Sequence, residues 1–472
     1  MINTVNRKLI KNIFLMFIIF FVPKFFSFFL VPLYTSYLTA EEYGMAELIF
    51  SIAGMFGPFL CLSTSSAVMR FTIEDKNNVK PFQVSFKIYL LASILFAIGC
   101  VIEFLIFHTA FEYLLFIFFI AETAVLKDIL TSYTRAIERI SVVTFCSVSC
   151  SILGIISNIV LIAFCKLGLY GFLISCLLSY LSEILLLLLF TNKNRIFRNL
   201  FLMKDSSLRK DMLSFSIPLI FSSISWWIVS ASDKYFVSFF CGVAANGIYS
   251  VSLKIPIILK TVDNIFNMAW TFTVYDQYKT ENGKRYIEKV YDFYYFLLTL
   301  GCSVLITCCI LLARILFSND FFTAWKYVPL LLIASVFQMF SSYTGIFLQI
   351  YKQSFWLMRI SIINTLLNIA LNFSLLYIIK DPFGVVISTL ITFIISFSIT
   401  SYIGCKLSNV QINIKKLLLS VMILILQSLV ICKTENIFLT GIGILLIIIV
   451  NFNILIWAKD NAFKVFSLKI SK

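Results

Sequence analysis

Long apolar runs separated by short polar breaks recur along the whole 472-residue chain. The hydrocarbon core of a bilayer is about 30 Å thick and is crossed by a helix of about 20 mainly apolar residues. The pattern therefore predicts about fourteen membrane-spanning helices, with no soluble domain left between them. The predicted spans are 9–37, 46–70, 81–107, 111–136, 142–166, 170–191, 213–240, 247–275, 286–316, 327–352, 355–379, 383–406, 415–432 and 437–458.

The composition supports an all-α integral membrane protein. Hydrophobic residues make up 60% of the chain and charged residues only 13%, compared with about 25% charged residues in soluble domains. The first apolar segment is too long for a cleavable signal peptide, and Pro23, Lys24 and Pro32 interrupt it where a cleavage site would be expected. We therefore expect this segment to remain as the first helix.

The positive charges predict the orientation. Lys and Arg collect in cytoplasmic loops of membrane proteins, and most of the 38 basic residues here fall in alternate breaks of the pattern. The remaining polar breaks carry few basic residues, chiefly Lys166, Lys326, Lys380 and Lys433. This asymmetry places both termini in the cytoplasm. It also accounts for the net charge of +15 without a nucleic-acid partner.

An internal repeat divides the chain. The segment YGFLIS at Tyr170–Ser175 returns as FGVVIS at Phe383–Ser388, and duplication of this kind is typical of transporters whose halves move about a central site. We predict a six-helix lobe at 1–191, a basic cytoplasmic linker at 192–212, a second six-helix lobe at 213–406, and two additional helices with a tail at 407–472. The lobes should be pseudo-symmetric around a central cavity.

Other classes of chemistry find little support. The twelve cysteines lie mostly in apolar spans and form no CxxC motif, and His108 is the only histidine in the sequence. Neither a disulfide framework nor a metal site is therefore indicated. We find no nucleotide-binding loop, no HExxH motif and no plausible catalytic triad. The sequence predicts a transporter rather than an enzyme, with no cofactor.

Several ionisable residues fall within the predicted spans, where an unpaired charge costs about 2.5 to 3.5 kcal/mol. They are Lys24, Glu122, Lys127, Asp128, Asp233, Lys234, Lys254, Lys260 and Asp263. Such residues should face the protein interior or a water-filled cavity. Asp233 and Lys234 are sequence neighbours and diverge on a helix, so each needs its own partner or water.

Two stretches resemble the oligosaccharide flippases of the polysaccharide transporter family. The first is FFVPKFFSFFLVPLYTSYLTAEEYGMAEL at 20–48, similar to that family's Pro-Leu-Tyr-Thr run and the Tyr-Gly turn after it. The second is IPLIFSSISWWIVSASDKYFVSFFCGVAANGIYSVSLKIPII at 217–258. Lys234 stands where the family pattern usually has Arg, which keeps the charge but loses the planar guanidinium fork.

The resemblance implies export of an undecaprenyl-pyrophosphate-linked oligosaccharide of the O-antigen or capsule type across the bacterial cytoplasmic membrane. On that basis, we expect the pyrophosphate to be attracted by Lys24, Lys127, Lys234 and Lys260. We expect sugar hydroxyls to meet Asn264, Asn267, Asn368 and Asn372. A coupling proton or sodium ion would bind at Glu122, Asp128, Asp233 or Asp263.

Other functions remain open on the sequence. A cation-coupled multidrug exporter of the same superfamily would have a more acidic cavity than the basic one predicted here. A sugar polymerase would need a large outer loop with catalytic residues, and the loops are short. A scaffold of a polysaccharide assembly complex, in which polymerase partners would also take part, should tolerate neutralisation of every charge within the spans.

Overall fold

A computed structural model describes residue 15 and residues 17–19, 21–75, 78–108, 110–191, 206–277, 281–351 and 353–454. The predicted linker at 192–212 falls mostly outside this part of the chain, as do the basic terminal segments. The described residues are almost entirely helical and include no β-strand. The predicted all-α class is therefore confirmed.

The helices up to Cys241 are as follows. They are α1 Val31–Tyr37, α2 Ala40–Leu60, α3 Thr64–Glu74, α4 Lys80–Phe107, α5 Phe111–Ala136, α6 Ile140–Asn158, the π-helical turn Ile159–Phe164, α7 Gly168–Phe190 and α8 Ser206–Cys241.

The helices of the remaining chain follow in the same way. They are α9 Val243–Ser252, α10 Pro256–Gln277, α11 Glu281–Leu316, the 3-10 helix Asn319–Lys326, α12 Val328–Ile350, α13 Ser354–Ile379, α14 Phe383–Ser408, α15 Ile414–Thr434 and α16 Ile437–Val450.

Each predicted span from 46–70 to 415–432 corresponds to one helix or to two consecutive helical segments, and the first and last predicted spans extend beyond the described residues. Ten helices in the described part are long and apolar enough to cross a bilayer. Helix α5 is not among them although it has 26 residues, because it carries Glu122, Lys127 and Asp128 within its length. The chain is a multi-pass membrane protein in which at least one span tolerates several charges.

The second predicted span, 46–70, is two helices rather than one. Helix α2 begins at a capping box in which Glu42 N–H donates to the Thr39 side chain and Thr39 N–H donates to the Glu42 carboxylate, which satisfies donors that no helical carbonyl can reach. Pro58 lies near the end of α2. Leu62 and Ser63 then take left-handed backbone angles, φ 46° and 54°, and redirect the chain into α3.

The chain divides into two compact units. The described residues up to Tyr235 form the first unit and those from Phe236 the second. The boundary lies inside α8, so most of the seventh predicted span belongs to the first unit. Hydrophobic side chains such as Ile49, Val68 and Leu130 form the core of the first unit. Tyr249 and Val385 lie in that of the second.

The two copies of the internal repeat use the same backbone contact. A Cβ atom on Gly171 in α7 would lie 3.0 Å from the Leu161 carbonyl oxygen in the preceding π-helical turn. A Cβ atom on Gly384 in α14 would lie 3.1 Å from the Leu375 carbonyl group in the preceding α13. In each unit, glycine therefore permits a helix to lie directly against the backbone of its predecessor.

Candidate functional site

Lys234 in α8 forms an ion pair with a carboxylate on α2. Its Nζ atom lies 2.6 Å from Oε2 of Glu47, and Oε1 of Glu47 accepts a hydrogen bond of 2.9 Å from the Tyr43 hydroxyl. The Lys234 and Glu47 side chains are only 18% and 11% exposed. Their opposite charges therefore compensate each other where neither is well hydrated. The preceding residue, Asp233, is buried.

Glu47 is a residue that the sequence analysis did not single out. It precedes Lys234 by 187 positions, and no local spacing links the two. The available signal was a lone carboxylate inside the second predicted span, which must have a partner for the same energetic reason as the lysine.

A second contact joins α8 to α2. The indole Nε1 of Trp227 donates to the Ser51 carbonyl oxygen at 2.9 Å, and the Trp227 ring lies 3.8 Å from where a Cβ atom on Gly54 would be. Ser51 follows Glu47 by about one helical turn, and Trp227 precedes Lys234 by about two. The two contacts fix the register of α8 against α2 within the first unit.

A cavity of about 500 Å³ lies in the first unit, next to these helices. Its lining combines apolar side chains, such as Phe50, Ile120 and Leu219, with small and polar ones from α2, α3, α5, α7 and α8, among them Asp128 and Tyr180. The other polar members are Ser63, Ser65, Ser66 and Ser223. Hydroxyl groups and a carboxylate on the wall suit a hydrated chamber better than a lipid-filled one.

Lys127 contacts Tyr180, one of the residues that line this cavity, although Lys127 is not itself part of the lining. Its Nζ atom is 4.4 Å from the centroid of the Tyr180 ring and 3.9 Å from Oε2 of Glu183. The latter distance is too long for a hydrogen bond. The other Glu183 oxygen, Oε1, accepts a hydrogen bond of 2.6 Å from Ser147. Lys127 is thus held by a π-face and a distant carboxylate, and it is more exposed than Lys234, at 28%.

The two acidic residues predicted on α5 lie in different surroundings. Asp128 is exposed and lines the cavity. Glu122 is buried, at 6% exposure, and its Oε2 atom lies 2.6 Å from the Ser93 hydroxyl on α4. Their assignment to ion coupling stays a prediction, but of the two only Asp128 lines the cavity.

The other two lysines that were predicted to attract pyrophosphate have exposed side chains. Lys24 in the first span and Lys260 in α10 are both exposed, as is Asn264. Lys24 belongs to the first unit, whereas Lys260 and Asn264 belong to the second. Their roles toward pyrophosphate and sugar stay predictions.

Asp263 in α10 has partners within the second unit. Its carboxylate accepts hydrogen bonds from the Tyr294 hydroxyl of α11 and, at 2.6 Å, from Nδ2 of Asn267. The sequence analysis placed Asn267 on a sugar-binding stripe and Asp263 among the ion-coupling residues. The structure joins them in one hydrogen-bonded group, in which the Asn267 amide is engaged by an acid of the same helix.

Asn368 and Asn372 lie between helices. They are 3% and 0% exposed, and Nδ2 of Asn372 donates to Oδ1 of Asn368 at 3.1 Å. Ser388 of α14 donates to the Asn368 carbonyl oxygen at 3.4 Å. In this conformation both amides are inaccessible to a sugar. The bond between them lies within α13, and the bond to α14 uses the backbone carbonyl of Asn368. Sugar binding by these two residues stays a prediction that requires a different conformation.

A metal centre is not indicated in the described part of the chain. No group of three or more His, Cys, Asp and Glu side chains in it could hold a metal ion.

The fold is similar to that of solved membrane transporters. The lipid II flippase MurJ in its inward closed conformation matches with a TM-score of 0.69 and 16% identity, over 95% of this chain and 99% of that chain. A multidrug resistance MATE family transporter of the MOP superfamily in its inward-facing conformation matches with a TM-score of 0.62 and 16% identity, over 84% of this chain and 99% of that chain. An outward-facing conformation of such a transporter matches with a TM-score of 0.53 and 17% identity, over 86% of this chain and 97% of that chain. At these identities the likeness shows a shared fold.

The sequence comparisons give a family. No curated protein matches significantly. The family model described as polysaccharide biosynthesis protein matches residues 9–275, which is more than half of the chain and includes α1 to α9, the Lys234–Glu47 pair and the whole cavity. The chain therefore belongs to this polysaccharide biosynthesis protein family.

Proposed function

We propose that the protein is a flippase for an undecaprenyl-pyrophosphate-linked oligosaccharide of the O-antigen or capsule type. It would move the lipid-linked unit from the cytoplasmic to the outer leaflet of the bacterial cytoplasmic membrane by alternating access, with both termini in the cytoplasm. Its partners would be this lipid, the bilayer, a coupling ion and the polymerase that extends the delivered units.

The family and the fold support the general class. The family is one of polysaccharide biosynthesis, and one of the solved proteins of similar fold is a flippase for lipid II. The same relationships support transport rather than catalysis. The oligosaccharide substrate itself is the part that the proposal adds.

The observation that carries the proposal is the cavity whose lining residue Tyr180 contacts Lys127. A pyrophosphate and its sugars cannot enter hydrocarbon without losing their hydration, so a carrier must replace water with hydrogen-bond donors and positive charge. The wall of the cavity offers serine hydroxyls. Next to the lining residue Tyr180, the Lys127 ammonium lies 4.4 Å from the ring centroid and 3.9 Å from a Glu183 carboxylate oxygen.

Lys234 would act differently from Lys127. Glu47 holds Lys234 at 2.6 Å, so a pyrophosphate could bind Lys234 only by displacing that carboxylate. We therefore assign the first contact with substrate to Lys127, and to Lys234 an exchange of partners later in the cycle. Lys24, Lys260, Asn264, Asn267, Asn368 and Asn372 would complete the path in other conformations.

Neutralisation of Lys127 tests the proposal. The variants K127A and K127R would be expressed in a strain that lacks the endogenous gene, and surface polysaccharide and membrane protein level would be measured together. Loss of a charge-assisted contact worth about 1.5 to 3 kcal/mol should lower export by about tenfold or more in K127A, whereas K127R should retain most of it.

The matched control is K326A, because Lys326 is exposed at the end of the 3-10 helix, in a predicted outer loop. It should export normally. Normal surface polysaccharide in K127A, at a normal protein level, would contradict the proposal.

Drug export is the second candidate, and Asp128 is the observation that favours it. A carboxylate and an aromatic ring on the same cavity wall would suit an organic cation, and MATE transporters share the fold. The variant D128N separates the two functions. If the protein exports drugs, D128N should lose drug resistance and K127A should have little effect. If it is a flippase, K127A should instead lower the export of polysaccharide.

A further inference from the structure

Glu122 is a buried acidic residue that does not line the cavity. The cavity is lined by Ala121, Ala124, Val125 and Asp128, which form one stripe along α5. The Glu122 side chain instead reaches α4, where Ser93 is its hydrogen-bond partner. It therefore lies off the proposed substrate path, in the same helix as the residues that line it.

The Ser93 hydroxyl has two oxygen atoms within hydrogen-bond distance. It lies 2.8 Å from the Tyr89 carbonyl oxygen and 2.6 Å from Oε2 of Glu122. A serine hydroxyl has a single proton to donate, and both neighbouring atoms would be acceptors if Glu122 were ionised. The two short contacts would then have to share one proton in a three-centre hydrogen bond.

A proton on Glu122 resolves this conflict. Oε2–H of Glu122 then donates to Ser93 Oγ, and the Ser93 hydroxyl donates onward to the Tyr89 carbonyl. The distance of 2.6 Å is typical of an O–H···O hydrogen bond. The remaining oxygen, Oε1, is buried and has no hydrogen-bond partner among the described residues. A neutral carbonyl oxygen tolerates that position far better than a charged one.

The surroundings of Glu122 contain no compensating cation. Among the described residues, no lysine or arginine pairs with its carboxylate, which is 6% exposed. The titratable groups that interact with it electrostatically are Tyr89 and Cys100 of α4, and both are ordinarily neutral at physiological pH. No side chain of the other described helices packed against α5 forms a hydrogen bond or ion pair with it.

A metal cation would not be held here. Hard cations such as calcium take about six or more oxygen ligands, whereas the described hydroxyl partners of the Glu122 carboxylate are Ser93 and Tyr89. The geometry suits the smallest ligand, a single proton on one carboxyl oxygen.

We propose that Glu122 is protonated in this conformation and is the residue at which the transport cycle binds and releases a coupling proton. The second part of this inference rests on the proposed transport function. The first part, the protonation state, does not, since it is a property of the protein without substrate.

Infrared difference spectroscopy tests the protonation state. Wild-type and E122Q protein would be compared in lipid nanodiscs at neutral pH. A carbonyl stretch of a protonated carboxyl that is lost in E122Q supports the proposal. Loss of a carboxylate stretch instead would overturn it. D128N is the matched control, because Asp128 is exposed on the same helix, and it should leave the protonated-carboxyl band unchanged.

The variant S93A tests the hydrogen-bond chain. It removes the acceptor of the Glu122 proton and should shift the same band to higher frequency while the protein stays folded. A band at its wild-type frequency in S93A would overturn the assigned geometry.

Transport in proteoliposomes tests the coupling. Wild-type transport of the lipid-linked oligosaccharide should rise severalfold under an imposed proton gradient, and E122Q should lose that dependence. An equal response of wild type and E122Q would overturn the coupling role. Absence of any wild-type transport would instead contradict the proposed function, and the infrared result would still be interpretable.

Discussion

The Nζ atom of Lys234 lies 2.6 Å from Oε2 of Glu47, across the interface between α8 and α2. This pair shows how an apolar helix accommodates a lysine near its middle. The compensating acid comes from another helix, because the adjacent Asp233 diverges from Lys234 on the helix surface.

Removal of either partner alone should destabilise the protein. E47Q or K234M leaves one charge without its partner in a poorly hydrated place, which costs about 3 kcal/mol when such a pair is broken. We expect a melting temperature in detergent several degrees below that of the wild type for each single variant. The double variant E47Q/K234M should recover most of the loss, because no charge is then stranded. Additive losses in the double variant would show that the two side chains are not coupled.

The repeat glycines should not tolerate a methyl group. In Gly171→Ala and Gly384→Ala, the new Cβ atom would be 3.0 to 3.1 Å from backbone atoms of the preceding helical segment. Backbone cannot rotate away as a side chain can, so overpacking should cost about 1 to 3 kcal/mol for each variant.

Thermal unfolding would measure the loss at these glycines. Gly99→Ala and Gly441→Ala are the matched controls, since a Cβ atom at either position has no neighbour within 4 Å. If all four variants melt alike, the close helix contact in the two repeats is not required.

The buried amide of Gln427 should secure the last two helices to the second unit. Its Nε2 atom lies 2.7 to 3.0 Å from the Ser303 carbonyl, the Thr307 hydroxyl and the Thr440 carbonyl, which share its two N–H groups, so that it joins α15 to α11 and α16. Its Oε1 atom accepts from the Ser303 hydroxyl at 2.9 Å.

Q427A should therefore leave several buried polar groups without partners, at a cost of about 1 to 3 kcal/mol. Limited proteolysis after α14 would detect the loosened C-terminal helices. L426A removes a larger apolar side chain at a position that is 58% exposed, and it should behave as the wild type. Equal protease resistance in Q427A and L426A would contradict this role.

The cavity of the first unit should be accessible to water. Ser66 lines it and is exposed, so the cysteine in S66C should react with a charged maleimide faster than the native cysteines of the wild type. L95C, at a 63% exposed position of the apolar helix α4, should react poorly, because a thiol facing lipid does not ionise and the reagent does not enter hydrocarbon. Faster labelling of L95C than of S66C would show that the cavity is dry.

The sequence by itself determined the all-α class, the positions of the spans and the repeat. These features depend on the length of each apolar run and on the local spacing of residues, both of which can be read directly from the sequence. The errors of the sequence-based prediction also arose from local structure. The predicted span 46–70 is two helices, because Leu62 and Ser63 adopt left-handed angles that neither residue type favours.

Only the tertiary structure decided which charges meet. It paired Lys234 with Glu47 at a separation of 187 residues and placed Lys127 against the ring of Tyr180. It brought Glu122 to Ser93 of α4, whereas Asp128 of the same helix lines the cavity. It also buried Asn368 and Asn372 between helices. The side-chain period of a helix states which residues share a face, but the partner of that face depends on how distant helices pack.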